Sequence, residues 1–284
     1  MRVVRAEALG FCFGVRCAVE RVEEELARGP LCTLGSVVHN ARVVESLAQR
    51  GATPVRSLDE VPAGGTVAIT AHGAGRQVVE EAVRRGLSVV DTTCPIVRRA
   101  QEMAESLAED GRFLVVFGEA DHPEVRGILS FAGGCGVAAL DPREPLPEAE
   151  RYGLIAQTTQ GEERFAAFSR ALAARLGERL QVVDTTCRET THRYEAVRDL
   201  ARGAQALVVV GSRTSANTRR LAEACRATGL PTHEVEGASD VDPSWFEGVA
   251  RCGVTAGTST SDAQIAEVVL RLRALGAIEP DRHP

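Results

Sequence analysis

Three cysteines stand in similar surroundings at distant points of the chain: Cys12, Cys94 and Cys187. Cys94 and Cys187 each complete the same run, Val-Val-Asp-Thr-Thr-Cys, and Cys12 lies within Gly-Phe-Cys-Phe-Gly. Self-similarity of this kind indicates one supersecondary unit that is used repeatedly. Three such units would direct three thiolates at one centre, so the repeat predicts a shared site.

A second repeated feature follows each cysteine at a similar distance. An apolar run ends in a glycine, and a polar residue stands four positions later; the pairs are Gly35 with His39, Gly118 with His122 and Gly211 with Ser215. Parallel α/β sheets bind ligands outside the carboxyl ends of their strands. The pattern therefore predicts that polar side chains at several strand ends contribute to the same site as the cysteines.

The three thiolates could hold either zinc or an iron–sulfur cluster. Structural zinc sites prefer closely spaced cysteine pairs within one loop, and these cysteines are far apart in the sequence. Cysteines from three separate units suit an iron–sulfur cluster, which usually takes four cysteine ligands. A cluster with three would leave one iron open to bind substrate or water. We favour the cluster and keep zinc as an alternative.

Histidines, hydroxyls and one glutamate surround this expected centre. His122 and Glu124 fall where a predicted strand ends and a helix begins, which is a natural anion site, and Asp121 is expected to be the N-cap. Uncharged donors of this kind fit a phosphate that is buried near a redox centre. Glu124 is expected to be the acid, with a pKa raised by a dry, anionic site. The candidate residues are His39, His72, His122, Glu124, Thr158, Ser215, Asn217 and Ser259.

Apolar runs alternate along the chain with stretches of helical period. This alternation predicts an α/β fold, with parallel sheets covered by helices. We expect three pseudo-symmetric lobes around a central iron–sulfur cluster: residues 13–94, 95–184 and 185–284, with the N-terminal strand region 1–12 joining the third. The tail, residues 278–284, is expected to be frayed. The predicted strands are 2–5, 31–34, 67–70, 88–90, 113–117, 154–156, 181–183, 206–210 and 253–255.

Composition narrows the class of protein. A chain of 284 residues with 25% charged residues is typical of a globular protein with two or three domains. The net charge of −6 argues against general nucleic-acid binding. All basic residues are arginines, which excludes a catalytic lysine. Because neither a signal peptide nor a membrane-spanning run is recognisable, we expect a cytoplasmic protein.

Five further cysteines fall outside the repeated position: Cys17, Cys32, Cys135, Cys225 and Cys252. Disulfides are rare in the cytoplasm, where free cysteine behaves as a small apolar residue. We therefore interpret these five as core residues.

Taken together, the motifs resemble those of the 4-hydroxy-3-methylbut-2-enyl diphosphate reductase family, the last enzymes of the methylerythritol phosphate route to isoprenoids. The likeness extends over nearly the whole chain. It rests on residues 10–15, 38–40, 71–73, 91–95, 122–125, 157–159, 184–187 and 253–257.

The resemblance implies one [4Fe–4S] cluster per chain on Cys12, Cys94 and Cys187, with a substrate oxygen reaching the fourth iron. It implies that Glu124 and Thr158 take part in proton delivery. Two electrons from ferredoxin or flavodoxin would expel the allylic hydroxyl as water and yield isopentenyl and dimethylallyl diphosphate. A monomer or homodimer is expected, with no membrane or nucleic-acid partner. The implied diphosphate ligands are His39, His72, His122, Ser215, Asn217 and Ser259.

Two other functions remain open at this point. A diverged paralogue would reduce another allylic phosphate, and several residues that flank the site depart from the family pattern: Asp121, Tyr194, Ala216, Thr258 and Ser261. A non-catalytic iron–sulfur sensor would keep the cysteines but would not need Glu124 or the histidines. Their joint presence argues against a sensor.

Overall fold

The computed structural model describes residues 1–277, so the expected fraying of the tail lies outside the described residues. The chain divides into two compact units. The central unit comprises residues 16–38 and 46–190, and the terminal unit comprises residues 1–15, 39–45 and those from 191 onward. Within residues 1–277, no helix combines the length and apolarity needed to cross a membrane.

Strands and helices alternate along the described chain. The strands are β1 (Arg2–Arg5), β2 (Leu31–Leu34), β3 (Ala52–Val55), β4 (Thr66–Ile69), β5 (Ser88–Asp91), β6 (Phe113–Phe117), β7 (Gly136–Ala139), β8 (Tyr152–Ala156), β9 (Leu180–Val182), β10 (Ala206–Val210), β11 (Thr232–Val235) and β12 (Arg251–Ala256). The helices are α1 (Phe13–Leu26), α2 (Ala41–Gln49), α3 (Arg76–Arg84), α4 (Pro95–Glu109), α5 (Pro123–Phe131), α6 (Glu162–Leu176), α7 (Arg188–Ala201), α8 (Ala216–Arg226) and α9 (Asp262–Ala277).

The strands form three four-stranded sheets in which every neighbouring pair is parallel. Their orders are β3-β2-β4-β5 and β7-β6-β8-β9 in the central unit and β11-β10-β12-β1 in the terminal unit. The predicted α/β fold, with three lobes that each contain a small parallel sheet, is confirmed. The lobe boundaries and the central cluster stay predictions.

Sequence reasoning did not predict β3, β7 and β11. Each is the outer strand of its sheet, at the edge opposite β5, β9 or β1. Most residues of these three strands are only partly buried or exposed, whereas every residue of β10 is buried. Polar residues or proline interrupt β3 and β11, so neither carries a continuous apolar run. β7 is apolar but only four residues long, which makes its pattern weak.

The β6–β8 sheet shows how the strand ends are held in place. Leu114 and Ile155 pack with residues of α4 and α5, whereas Val115 and Leu154 pack with residues of α6. All four side chains are fully buried. Burial of one such side chain contributes about 1.5–3 kcal/mol. Because helices cover both faces of the sheet, the residues that follow β6 and β8 extend from a rigid part of the fold.

Candidate active site

The three repeated cysteines are anchored in the same way. Each immediately precedes a helix, α1, α4 or α7, and its backbone N–H donates to the carbonyl of a residue just beyond the neighbouring strand. Such main-chain bonds fix where the cysteine backbone lies, independently of its side chain. The three bonds join Cys12 to Thr258 (3.1 Å), Cys94 to Ala71 (3.1 Å) and Cys187 to Thr158 (2.8 Å).

The two Asp-Thr-Thr-Cys motifs share further hydrogen bonds. In the first, Asp91 accepts from the backbone N–H of Thr93 at 2.9 Å, and the hydroxyl of Thr92 donates to the carbonyl of Ile69 at the end of β4. Side-chain bonds of this kind stabilise tight turns. The second motif repeats both bonds, from Thr186 N–H to Asp184 (2.8 Å) and from the Thr185 hydroxyl to the carbonyl of Ala156 (2.6 Å). The motif therefore turns the chain so that a cysteine begins a helix.

Cys94 occupies the N-cap position of α4 and is followed by proline. Burial is the main influence on its thiol and raises the pKa of Cys94, and the negative charges of Glu124 and Cys17 act in the same direction. Bonds from the backbone N–H groups of Val97 and Ile96 oppose this by stabilising the thiolate. A thiolate that also bound a metal cation would gain a further opposing interaction. The N-terminus of α4 thus suits a cysteine that acts as a metal ligand.

The N-cap of α5 is His122, not Asp121 as the sequence suggested. The Nδ1 atom of His122 accepts a hydrogen bond from the backbone N–H of Glu124 at 3.2 Å. A neutral imidazole that accepts through Nδ1 carries its proton on Nε2. His122 can therefore donate a hydrogen bond through Nε2 to an anion while it caps the helix. The sequence favoured Asp121 because aspartate is more common than histidine at the N-cap of a helix.

Glu124 and Thr158 are in direct contact in the central unit. The side chain of Glu124 is almost completely buried, with 1% exposure. Its Oε1 atom accepts a hydrogen bond from the backbone N–H of Thr158 at 2.6 Å. Burial raises the pKa of Glu124 to about 7, although the backbone and hydroxyl of Thr158 favour the ionised form and oppose the shift. The raised pKa agrees with the prediction, and it lets the carboxyl group carry a proton near neutral pH.

His72 lies beside His122. Their ring centroids are 5.6 Å apart with an interplanar angle of 80°, and Nδ1 of His72 is 3.4 Å from the hydroxyl of Thr70. His72 belongs to the loop after β4, and His122 ends the loop after β6. The structure therefore brings two predicted anion ligands together at the end of α5 that also carries Glu124.

The terminal unit groups its own predicted residues. The hydroxyl of Ser259 donates to the carbonyl of His39 at 3.1 Å. Asn40, which follows His39, donates to the carbonyl of Ser259 at 2.8 Å and accepts from backbone N–H groups of α2. Burial lowers the pKa of His39, so its ring is neutral at neutral pH. His39 and Ser259 are consequently held together by two bonds between their loops.

Ser215 and Asn217 lie at the start of α8, also in the terminal unit. Ser215 is the N-cap, and its hydroxyl accepts from the backbone N–H of Thr218 at 3.4 Å. The side-chain amide of Asn217 donates to the hydroxyl of Thr258 at 2.9 Å, and the carbonyl of Thr258 anchors Cys12. Cys12, Asn217 and Ser259 are therefore linked through one loop.

The repeat also identifies a residue that sequence reasoning missed. In all three lobes a turn follows the strand beside the cysteine, closed by bonds from Gly73 to Thr70, from Gln160 to Gln157 and from Thr260 to Gly257. Aligned on these turns, His72 and Ser259 correspond to Thr159 rather than to Thr158. The side chain of Thr159 accepts from Gln157 at 3.2 Å. This correspondence depends on the turns and anchoring bonds that the structure shows, which residue type alone does not reveal.

The other five cysteines differ in how deeply they are buried. Cys32, Cys225 and Cys252 are buried, as expected of core residues, and burial raises the pKa of Cys225 and of Cys252 to about 12. Cys17 is half-buried, and Cys135 is exposed, so its assignment to the core was wrong. Cys135 follows two consecutive glycines in the turn between α5 and β7, which explains its exposure.

No three His, Cys, Asp or Glu side chains among residues 1–277 are arranged to hold one metal ion. An iron–sulfur cluster does not require such an arrangement, because each thiolate binds a different iron. The convergence of Cys12, Cys94 and Cys187 on a single cluster stays a prediction.

These features define an α/β protein of three small parallel sheets, with a cysteine at the start of a helix in each lobe. The chain belongs to the LytB protein family, whose sequence model matches residues 3–273. Two relatives are named 4-hydroxy-3-methylbut-2-enyl diphosphate reductase. The one from Geobacter metallireducens is 40% identical over 97% of this chain and 98% of its own length. The one from Dehalococcoides mccartyi is 40% identical over 98% and 99%.

Two solved structures are also similar. E-1-hydroxy-2-methyl-but-2-enyl-4-diphosphate reductase from Plasmodium falciparum has a TM-score of 0.86 and 25% identity, over 95% of this chain and 87% of that one. A structure of (E)-4-hydroxy-3-methyl-but-2-enyl diphosphate reductase, described as the terminal enzyme of the non-mevalonate pathway, has a TM-score of 0.76 and 36% identity, over 96% and 100%. Both likenesses extend over nearly the whole described fold.

Proposed function

We propose that this chain reduces (E)-4-hydroxy-3-methylbut-2-enyl diphosphate to isopentenyl and dimethylallyl diphosphate. Two electrons and two protons are consumed: the C–O bond to the allylic hydroxyl breaks, one proton leaves with it as water, and the other adds to the allylic carbons. One observation carries the proposal. In this member of the LytB family, the buried Glu124 has a pKa raised to about 7. Its carboxyl group accepts a hydrogen bond from Thr158, and its backbone N–H donates to His122.

In this proposal the histidines and hydroxyl side chains bind the diphosphate. Burial keeps His39 neutral by lowering its pKa, and His122 retains a donor on Nε2 because its Nδ1 caps α5. Uncharged donors can bind an anion without adding buried cations. The proposed ligands are His39, His72, His122, Ser215, Asn217 and Ser259, with Thr159 added by the repeat.

Glu124 is the proposed acid. Its protonated form can donate to the departing hydroxyl, and its carboxylate is then stabilised by the backbone N–H of Thr158. The hydroxyl of Thr158 bonds to the same carboxyl group, so Thr158 can orient the proton. A positioned acid of this kind typically contributes about 10²–10⁴-fold in rate.

The cysteines fit the proposed cluster. Each thiol stands at the start of a helix with its backbone anchored by a carbonyl, and backbone N–H groups stabilise the thiolate of Cys94. Cys12, Cys94 and Cys187 would hold one [4Fe–4S] cluster per chain, which supplies the electrons when bound. Ferredoxin or flavodoxin is the proposed donor to it. A cytoplasmic location and a monomer or homodimer without nucleic-acid partners complete the proposal.

The direct test is turnover by anaerobically purified protein whose iron and sulfide have been measured. With reduced methyl viologen and the allylic diphosphate, we expect viologen oxidation and formation of both five-carbon diphosphates. The phosphate monoester of the same alcohol serves as a control, because it lacks one phosphate group. Efficient reduction of the monoester but not of the diphosphate would favour the diverged paralogue. A reducible cluster without turnover of either compound would favour the sensor.

A further inference from the structure

Gln101 is a buried amide on α4 that contacts two other elements of the central unit, the loop after β4 and α5. It lies on α4, about two turns after Cys94, and is 4% exposed. Its Nε2 atom donates to the carbonyl of Ala74 at 3.4 Å. Ala74 belongs to the loop that carries His72, so the helix that begins at Cys94 reaches the His72 loop through this side chain.

Two glycines lie so close to the Gln101 amide that a side chain at either position would contact it. A Cβ atom on Gly73, which follows His72, would lie 2.5 Å from Nε2 of Gln101, and its φ of +75° already favours glycine. A Cβ atom on Gly127 of α5 would lie 3.3 Å from the same nitrogen. The amide therefore fills the space between the His72 loop and α5, the helix that begins after His122.

We propose that Gln101 is a positioning residue that sets the His72 imidazole against that of His122 for binding of the substrate diphosphate. The proposal rests on the function proposed above. The two rings are 5.6 Å apart, and each is carried by an element that Gln101 contacts. An anion that bridges both rings would depend on their relative position. If the amide is lost, the His72 loop can shift relative to α5, and one of the two donors is misplaced.

The polar side chain of Gln101 indicates a role beyond filling space in the core. Its helical neighbours Ala100 and Ala104 are apolar and fully buried. Burying an amide costs free energy unless it forms hydrogen bonds, so an apolar side chain of the same length would satisfy packing alone. The start of α3 has separate anchors on α5: Arg76 lies over the ring of Phe131, and its N–H donates to Ser130. Variants at Gln101 should therefore still fold.

The first test uses Gln101→Met, which keeps the length and removes the donor. We expect KM for the allylic diphosphate and Kd for inorganic diphosphate to rise about 2- to 10-fold, the effect of one neutral hydrogen bond. Cluster content, Tm and kcat should stay close to those of the parent enzyme. The matched control is Glu102→Gln on the exposed face of α4. An unchanged KM, or a loss of activity that merely follows a loss of cluster, overturns the proposal.

A double-mutant cycle provides the second test. In the parent enzyme, Gly127→Ala should shift the amide by a few tenths of an ångström and raise KM, because its new methyl carbon would lie 3.3 Å from Nε2. In a Gln101→Ala background the same change should have no further effect, since the space is empty. Independent effects of the two substitutions contradict the proposal. If the parent enzyme fails to turn over the allylic diphosphate, the proposed function is wrong, while titration with inorganic diphosphate still tests Gln101.

Discussion

The backbone of Thr158 joins Glu124 to Cys187. Its N–H donates to the Glu124 carboxyl group at 2.6 Å, and its carbonyl accepts from the N–H of Cys187 at 2.8 Å. The proposed acid and a proposed cluster ligand are thus separated by one residue of a single loop. Movement of that loop would displace both groups together, so their relative position is set by the main chain.

Replacement of Glu124 by glutamine should impair chemistry more than binding. The glutamine side chain would retain an oxygen for the Thr158 N–H but could not deliver a proton. We expect turnover to fall by about 10²–10⁴-fold, whereas iron content should be unchanged and substrate should still perturb the spectrum of the cluster. Near-normal turnover under anaerobic reducing conditions would assign the proton to another group.

Activity should depend on pH through Glu124. Because burial raises the pKa of Glu124 to about 7, the acid is protonated below that pH and loses its proton above it. We therefore expect kcat/KM to decrease as the pH rises above about 7, with a limb that Glu124→Gln lacks. Profiles should be measured with reduced methyl viologen, whose potential does not depend on pH. A parent enzyme with constant kcat/KM well into the alkaline range would contradict the assignment.

The cysteines should differ in their effect on iron content. Serine in place of Cys12, Cys94 or Cys187 should remove most of the iron and the activity, because a ligand of the proposed cluster would be lost. Cys225→Ala is the matched control: Cys225 is buried in the apolar core of the terminal unit, and burial raises the pKa of its thiol to about 12. Iron and sulfide analysis after anaerobic purification measures the effect. Equal loss from all four variants would disprove the distinction.

Substitution of the proposed diphosphate ligands should raise KM. His39→Ala and His122→Ala each remove a donor from the proposed anion site. A hydrogen bond to a charged group contributes about 1.5–3 kcal/mol, so KM should rise by roughly one to two orders of magnitude. His192→Ala is a control of the same residue type, because His192 is exposed on α7. Equal KM values for the three variants would exclude the two histidines as ligands.

Arg193 should stabilise the terminal unit. This guanidinium is 4% exposed and donates to the carbonyls of Gly10 (2.7 Å) and Ala256 (2.9 Å), which connects the Cys12 loop to the end of β12. Arg193→Met removes both bonds, each of which contributes about 1.5–3 kcal/mol. Denaturant unfolding should show a matching loss, with Arg198→Met on the exposed face of α7 as control. Equal free energies of unfolding for the two variants would show that the two bonds of Arg193 do not stabilise the fold.

The parts of this fold that the sequence predicted are those with strong periodic patterns. Inner strands such as β6 and β10 are apolar throughout. Cys94 and Cys187 repeat a motif in which the bonds made by the aspartate are local. Other features depend on the exact residue at which a helix or turn begins. The residue at which α5 begins decides whether Asp121 or His122 is the N-cap. The turns after β8 and β12 decide whether Thr158 or Thr159 corresponds to Ser259. Neither can be read from residue type alone.

The main-chain bonds that anchor the three cysteines have a consequence for repair. None of these bonds involves sulfur or iron, so each cysteine loop can keep its conformation when the metal is absent. In the proposed cluster, an iron that is open to substrate would also be open to oxygen, so oxidative damage to it is expected. If the three cysteines hold that cluster, their loops need not refold after such damage, and we expect the cluster to be rebuilt in the existing polypeptide.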